Sequence, residues 1–468
     1  MKRNLLVSAL FLCASCTVGT TILNEGDYKV TGSVTCEGQP LQGVIVTDGY
    51  NFAQSNRKGN FELIVTDSSK FVSVATPSGY TTAFADGVPD FYLPASEQSE
   101  SYDFQLAKWG EADKYQLVSI GDIQYMTQAH FDRFETGVFP DIKSYVEGEQ
   151  AKGIQPVLIT LGDITWDNFE LYSQYVDLVK SLPAPLYPVI GNHDHDKDSV
   201  GDSESAHHYN KFFGPEYYAF NLGEDYYIVL DNIIYDTQKS YVESVSKGQQ
   251  EWIKSYLEFI PKGSNVYVCM HSPVICYGRV VDKSYEEWVP LFDGYNLSVI
   301  SGHTHLLFNK ESLPGLFEHN VGAACGVWWT ADTGKDGAPI GYQIFESREG
   351  DKASWRYKSV GYDLDYQAKL YKDVEGHKES IVAYIWAVDD VWTVKGSFDG
   401  GAPVKGERIT MTNPDYDLYV EQLGGVASYK SSIATDCYFT FEIPQGATNF
   451  SLTATDSFGN IYSESIEL

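Results

Sequence analysis

Residues 186–194 read Leu-Tyr-Pro-Val-Ile-Gly-Asn-His-Asp, an apolar run that breaks at Gly191 into Asn192-His193-Asp194. A short apolar stretch ending at glycine and then at chemically active side chains predicts a buried strand that opens onto a site. The pattern recurs along the chain. Gln116-Leu117-Val118-Ser119-Ile120 leads into Gly121-Asp122-Ile123-Gln124, and Pro156 to Leu161 leads into Gly162-Asp163. Asn265 to Met270 leads into His271, and Leu297 to Ser301 leads into Gly302-His303-Thr304-His305. Ligands of open α/β sheets bind beyond the carboxyl ends of the strands, so these clusters are expected to converge. What converges is carboxylate, amide and imidazole without thiolate, a donor set for hard or borderline divalent ions (Mn, Fe or Zn) in more than one site. The glycines before Asp122, Asp163, Asn192 and His303 are expected to turn the backbone sharply, aiming each side chain into the crevice.

Outward from these strands, residues 114–347 alternate apolar runs with helical-period stretches such as Tyr172 to Leu182 and Gln249 to Phe259, which predicts an α/β domain. Residues 27–110 read instead as short alternating strands punctuated by Asp48-Gly49, Lys58-Gly59 and Pro77-Ser78-Gly79, a small β-sandwich. Alternation returns over 353–468 with almost no helical periodicity, which predicts a second β-domain. At the start, Lys2-Arg3, the apolar run Leu5 to Cys13 and Ala14-Ser15-Cys16 read as a signal peptide over residues 1–16. Its ending resembles a bacterial lipobox, with Cys16 as the lipidated residue, so the chain is expected to be exported and membrane-anchored, in the periplasm or at the cell surface.

The 468 residues carry 33 Lys+Arg against 64 Asp+Glu, a formal net charge of −31. Such an acidic surface argues against gripping nucleic acid, or adhering to anionic lipid, through charge. It leaves room for a phosphorylated substrate, because a metal site reverses the local field. The cysteines beyond the N-terminal segment (Cys36, Cys269, Cys276, Cys325, Cys437) are too scattered for a disulfide framework or a zinc ribbon. They read as buried small apolar residues, with a Cys269–Cys276 bridge as the alternative.

The ordered set Gly-Asp-x-Gln, Gly-Asp, Gly-Asn-His-Asp, His and Gly-His-x-His resembles the calcineurin-like metallophosphoesterases, over about half of the chain. The flanking β-domains are similar to those of a bacterial, Bacteroides-type subgroup with this three-part order, and the first also resembles transthyretin-like modules. The resemblance implies a four-layer αββα sandwich flanked by two all-β domains, with two divalent ions at the strand ends. It implies that Asp163 bridges them, that Asp122 and His305 complete one site, and that Asn192, His271 and His303 complete the other. The ions would share a hydroxide that attacks phosphorus in a small phosphorylated substrate, monoester or diester, while His193 protonates the leaving oxygen.

Two positions depart from the family pattern. Gln124 stands where the family more often has histidine, and reads either as a ligand or as a hydrogen-bonding neighbour. The acid that orients the catalytic histidine is displaced: Trp166 occupies its position, and Asp167 or Asp194 is the substitute. Trp328 and Trp329, after the last ligand segment, read as a substrate wall or as core, and Arg279 as a contact to a phosphate oxygen. The rival reading of the whole chain is a surface protein, catalytically weak or inert, that binds phosphorylated glycan or lipid.

Overall fold

Along each middle strand the side chains alternate between two apolar environments, and that alternation builds the layers. Leu117, Ile159 and Leu161 face inward with Tyr267, Cys269 and Ile300 of a second sheet. Val118, Ile120 and Leu158 face outward, beneath helical residues Ile142, Val146, Tyr172 and Tyr175. On the far side Val266, Val268 and Val299 meet Trp252, Ile253 and Tyr256. Each fully buried aliphatic side chain in such layers stabilises the fold by about 1.5–3 kcal/mol. The computed structural model describes residues 25–85, 87–99, 101–199, 201–237 and 240–468. The expected signal peptide and Cys16 lie outside the described residues.

One sheet orders its strands Leu186–Val189, Val157–Leu161, Gln116–Ile120, Gly341–Glu346 and Ser354–Ser359. Its first three are parallel and its last two antiparallel. The second orders Tyr218–Leu222, Asp225–Val229, Asn265–Cys269, Asn296–Ser301, Leu316–Asn320 and Phe308–Leu313, with a parallel centre. Helices Phe139–Ala151 and Tyr172–Val179 cover the first sheet and Lys247–Tyr256 the second, giving the αββα sandwich. The pairing register (Ile120 with Thr160, Thr160 with Pro188, Cys269 with Ile300) aligns the carboxyl ends of the parallel strands at one edge of both sheets.

The first sheet continues to Ser359, so the middle domain runs past the expected border at 347. Residues 353–359 read as the start of the next β-domain because an antiparallel edge strand carries the same alternation as a sandwich strand. The N-terminal domain pairs two small sheets and docks through Phe91 on Tyr218, with ring centroids 4.5 Å apart, and through Lys70 on Glu216 at 2.7 Å. The C-terminal domain also pairs two sheets but holds a helix, Pro414–Gln422, against expectation. Only Tyr416 of that helix is buried, so no apolar stripe announced it, although Asn413-Pro414 is a good start signal. The Asn413 side chain accepts the amides of Asp415 and Tyr416. Cys36, Cys269, Cys325 and Cys437 are buried and free, and Cys269 and Cys276 form no bridge. Among the described residues no helix is long and apolar enough to cross a membrane.

Candidate active site

The strand ends do converge. Ligand-capable atoms of Asp122, Asp163 and His271, all three buried, lie within 4.8 Å of one another. His271 Nδ1 donates to the Leu161 carbonyl at 2.7 Å, which aims Nε2 into the cluster. There Nε2 faces Asn192 Oδ1 at 3.0 Å, His303 Nδ1 at 3.1 Å and Asp163 Oδ1 at 3.3 Å. His305 Nε2 lies 3.5 Å from Asp122 Oδ1, and the His303 amide donates to both Asp122 oxygens at 3.1 and 2.9 Å. Asp122 thus neighbours His305, while Asn192, His303 and Asp163 gather around His271. Gln124 donates its amide nitrogen to Asp163 Oδ2 at 2.8 Å.

The backbone carries the cost of this convergence. Among the described residues twelve non-glycines have positive φ, and Asp122, Gln124, Asp163, Asp167, His303, His305, Trp328 and Trp329 are eight of them. Left-handed conformations outside glycine cost of order 1–3 kcal/mol each and gather at sites where geometry matters. Gly162 has φ +82° and makes the expected sharp turn. Gly191 serves differently: its φ is not in the left-handed region, but a Cβ there would lie 2.2 Å from the Asp163 amide nitrogen and 2.3 Å from Oδ1. Its role is close approach, not turning.

Electrostatics favour cations. Burial pushes the Asp122 carboxyl up to about 8. Burial acts the same way on Asp163, but the imidazoles of His271 and His193 prevail and hold it low. Burial also works against charge on His271, yet the Asp163 and Asp122 carboxylates raise it to about 9. Burial, with Lys335 second, drives His305 down to about 3, and burial lowers His303, so both rings are neutral donors. Among the described residues no lysine or arginine forms an ion pair with Asp122 or Asp163. His271 Nε2 can hold one proton, yet it confronts an amide oxygen, a carboxylate oxygen and a ring nitrogen. Divalent ions satisfy this arrangement of oxygen and imidazole donors where a single proton cannot, so the residues fit a metal centre.

His193 stands at the edge of the cluster. Its amide donates to Asp163 Oδ1 at 2.9 Å, and its Nδ1 donates to Asp167 Oδ1 at 3.0 Å. Lys197 donates to the other Asp167 oxygen. Burial disfavours charge on His193, but Asp163 and Asp167 more than offset it and raise its pKa. Asp194 does not meet His193. It accepts the Ile164 amide at 3.1 Å, the Thr165 amide at 3.3 Å, the Gly191 amide at 3.0 Å and the Tyr172 hydroxyl at 2.8 Å, tying the Asp163 loop to the Asn192 loop. Being fully buried and facing four donors, it has no oxygen left for the His193 ring.

The two tryptophans separate. Trp328 stacks on His305 at 4.5 Å and stands 6.2 Å from Trp166, which in turn lies 5.3 Å from His193. Trp329 turns inward, 5% exposed, and donates to the Ile123 carbonyl, so it is core and not wall. Arg279 is exposed on the two-residue hairpin strand Arg279–Val280, and among the described residues no hydrogen bond or ion pair joins it to the cluster. His195, which reads as a solvated loop residue, is buried between Ser205 and Asp231.

Several neighbours were not legible. Glu243 lies 3.6 Å from His303 Nε2; Tyr235 donates to the Asn192 carbonyl at 2.7 Å. Both come from the hairpin Ile233–Thr237 and Ser240–Glu243, which carries no motif. Lys335 lies 5.6 Å from the Trp328 ring, and Tyr429 of the C-terminal domain packs edge-on against Trp328 at 5.2 Å. Nothing local to residue 429 announces it, since its partner is brought by tertiary structure alone.

Three family models match consecutive parts of the chain: the N terminal of calcineurin-like phosphoesterase over residues 28–109, calcineurin-like phosphoesterase over 115–307, and the C terminal of calcineurin-like phosphoesterase over 318–462. No protein of curated function matches the sequence. Among solved structures, a dimetal phosphatase from Danio rerio is 12% identical, with 52% of this chain and 98% of that chain covered and a TM-score of 0.35. The purple acid phosphatase PPD1 from yellow lupin (Lupinus luteus) seeds is 12% identical, with 71% and 67% covered and a TM-score of 0.39. A 5'-nucleotidase from Candida albicans is 12% identical, with 54% and 52% covered and a TM-score of 0.32. With family matches running in order from residue 28 to 462 over a strand-end cluster built for cations, the chain belongs to the calcineurin-like phosphoesterases that carry N- and C-terminal domains, and is a phosphoric ester hydrolase using two divalent metal ions.

Proposed function

We propose that this chain is an exported, lipid-anchored phosphoesterase that hydrolyses phosphomonoesters or phosphodiesters of small molecules, with His193 as the general acid. The observation that carries the reading is the relay from Lys197 through Asp167 to His193 beside Asp163. Asp163 would bridge the ions, Asp122 and His305 would hold one, and Asn192, His271 and His303 the other, with Gln124 steadying the bridge. When bound, the two ions supply charge neutralisation at the phosphoryl oxygens and a nucleophile that forms near neutral pH. Asp167 fixes the proton on His193 Nδ1, which leaves Nε2 to carry the proton that goes to the leaving oxygen. Against burial, His193 and Lys197 hold Asp167 low, and Asp167 in turn favours the charged form of the His193 ring. Trp166 and Trp328 flank the path by which the leaving group departs. The acidic surface repels polyanions, which suits compact substrates.

The test is turnover of chromogenic mono- and diesters by protein reconstituted with Mn, Fe or Zn, beside Asp163→Asn and His193→Ala. Activity that Asp163→Asn abolishes, and that His193→Ala lowers far more for esters with poor leaving groups than for the chromogenic ones, supports the reading, and no turnover with two bound ions overturns it. Anchoring is tested by Cys16→Ser, which is expected to move the protein from the membrane fraction to the soluble one.

A further inference from the structure

A second cluster of ligating side chains lies outside the strand-end crevice. Asp196, His207 and His208 bring one carboxylate oxygen and two ring nitrogens within 4.8 Å of one another. Asp196 Oδ2 stands 3.8 Å from His207 Nε2 and 3.7 Å from His208 Nε2. Both separations exceed hydrogen-bond reach, and the two imidazoles lie side by side with ring centroids 3.9 Å apart. In a tetrahedral zinc site with bonds of about 2.0–2.1 Å, ligand atoms lie roughly 3.3 Å apart, so each ring needs to approach Asp196 by only a few tenths of an ångström.

The local chemistry prepares each donor. His207 Nδ1 lies 2.7 Å from the Glu204 carbonyl, which can only accept. The proton of the neutral ring is therefore on Nδ1, and the lone pair is on Nε2, toward Asp196. Asp196 Oδ1 accepts the Asp198 amide at 2.9 Å, which leaves Oδ2 for the two rings. The His208 ring is fixed by stacking on Phe169 at 4.4 Å and 20°. Asp196 is held in turn by its own amide, which donates to the Ser205 carbonyl at 2.7 Å. The side chains are 23%, 47% and 38% exposed for Asp196, His207 and His208, enough for water to complete the coordination.

We propose that Asp196, His207 and His208 form a further divalent-metal site, separate from the strand-end pair and selective for zinc-class ions that accept two imidazoles and a carboxylate. The ion clips the loop after His193 to the start of the helix His207–Phe213. Its binding does not depend on the assignment of the strand-end ligands.

The experiment is equilibrium dialysis of the full chain against buffered free zinc from nanomolar to high micromolar, with bound metal counted by mass spectrometry. The wild type is expected to take up one equivalent more than His208→Gln and one more than His207→Ala, with turnover unchanged in both. Each difference is expected to persist in an Asp163→Asn background, where the strand-end ions are weakened. Anomalous diffraction at the zinc edge is expected to place a peak between Asp196 and the two rings. Equal stoichiometry in the wild type and in folded His207→Ala and His208→Gln, or no peak at that point, overturns the proposal.

Discussion

At the floor of the crevice Asp122, Asp163 and His271 each follow a buried strand and are at most 1% exposed. At its rim Trp328 is half-buried and Tyr429 is 54% exposed, and they come from segments a hundred residues apart in the chain that meet by ring contact. The floor is local: strand, glycine, ligand, repeated. The rim is assembled by tertiary packing, with Tyr419 donating to the Thr330 carbonyl at 2.6 Å and Ile433 to the Lys335 carbonyl at 3.0 Å. The difference teaches that the ligand cluster and the rim above it are built separately, one buried and local in sequence, the other open and contributed by two domains.

The largest effect is expected at the floor. Gly191→Ala inserts a methyl 2.2 Å from the Asp163 amide, so either Asp163 or the strand must move. Activity is expected to fall by about a thousandfold, since displacement of a reacting group by even 1 Å costs on the order of a hundredfold and this position also governs the ions. Metal analysis and circular dichroism check it: lost metal with retained fold is the expected pair. Next comes His193→Ala, with kcat lower by about 10²–10⁴ for esters with poor leaving groups and far less for nitrophenyl esters, which need little protonation. Metal content is expected to stay unchanged, and equal losses for both leaving groups would contradict the general-acid role.

Lys197→Met tests the relay one step out. It leaves Asp167 with only the His193 bond, and kcat is expected to fall about tenfold, as for loss of one charge-assisted hydrogen bond. At the rim, Trp328→Ala and Tyr429→Ala are expected to raise KM severalfold for esters with bulky leaving groups while kcat and metal content hold. A fall in metal content on Tyr429→Ala would break the separation of floor from rim. The smallest effect is Asn413→Ala, which removes a helix cap worth about 1 kcal/mol. It is read as a lower melting temperature, with KM following Tyr429→Ala only if the helix positions the rim.

The same contrast explains what the sequence made legible. All five ligand strands, and the residues after them, could be read because each motif is contiguous and a buried parallel strand is a continuous apolar run. The orienting acid could be narrowed only to Asp167 or Asp194. The choice depends on loop geometry: Asp167 adopts φ +54° and reaches the ring, while Asp194 is taken by backbone amides. Trp328 and Trp329 are adjacent in sequence and opposite in role because both adopt positive φ in a tight turn. Glu243, Lys197 and Tyr429 belong to no local pattern, and only the folded chain brings them to His303, Asp167 and Trp328.

The position of Tyr429 has a consequence in time. A protein emerges from the ribosome N-terminus first, and its domains fold as they appear. Every floor residue, from Asp122 to His305, is therefore made before Tyr429, whose segment must still await the strand Thr435–Glu442 to be fixed in place. During that interval the nascent molecule holds the strand-end cluster without Tyr429 against Trp328. The rim is the last part of the crevice to be completed.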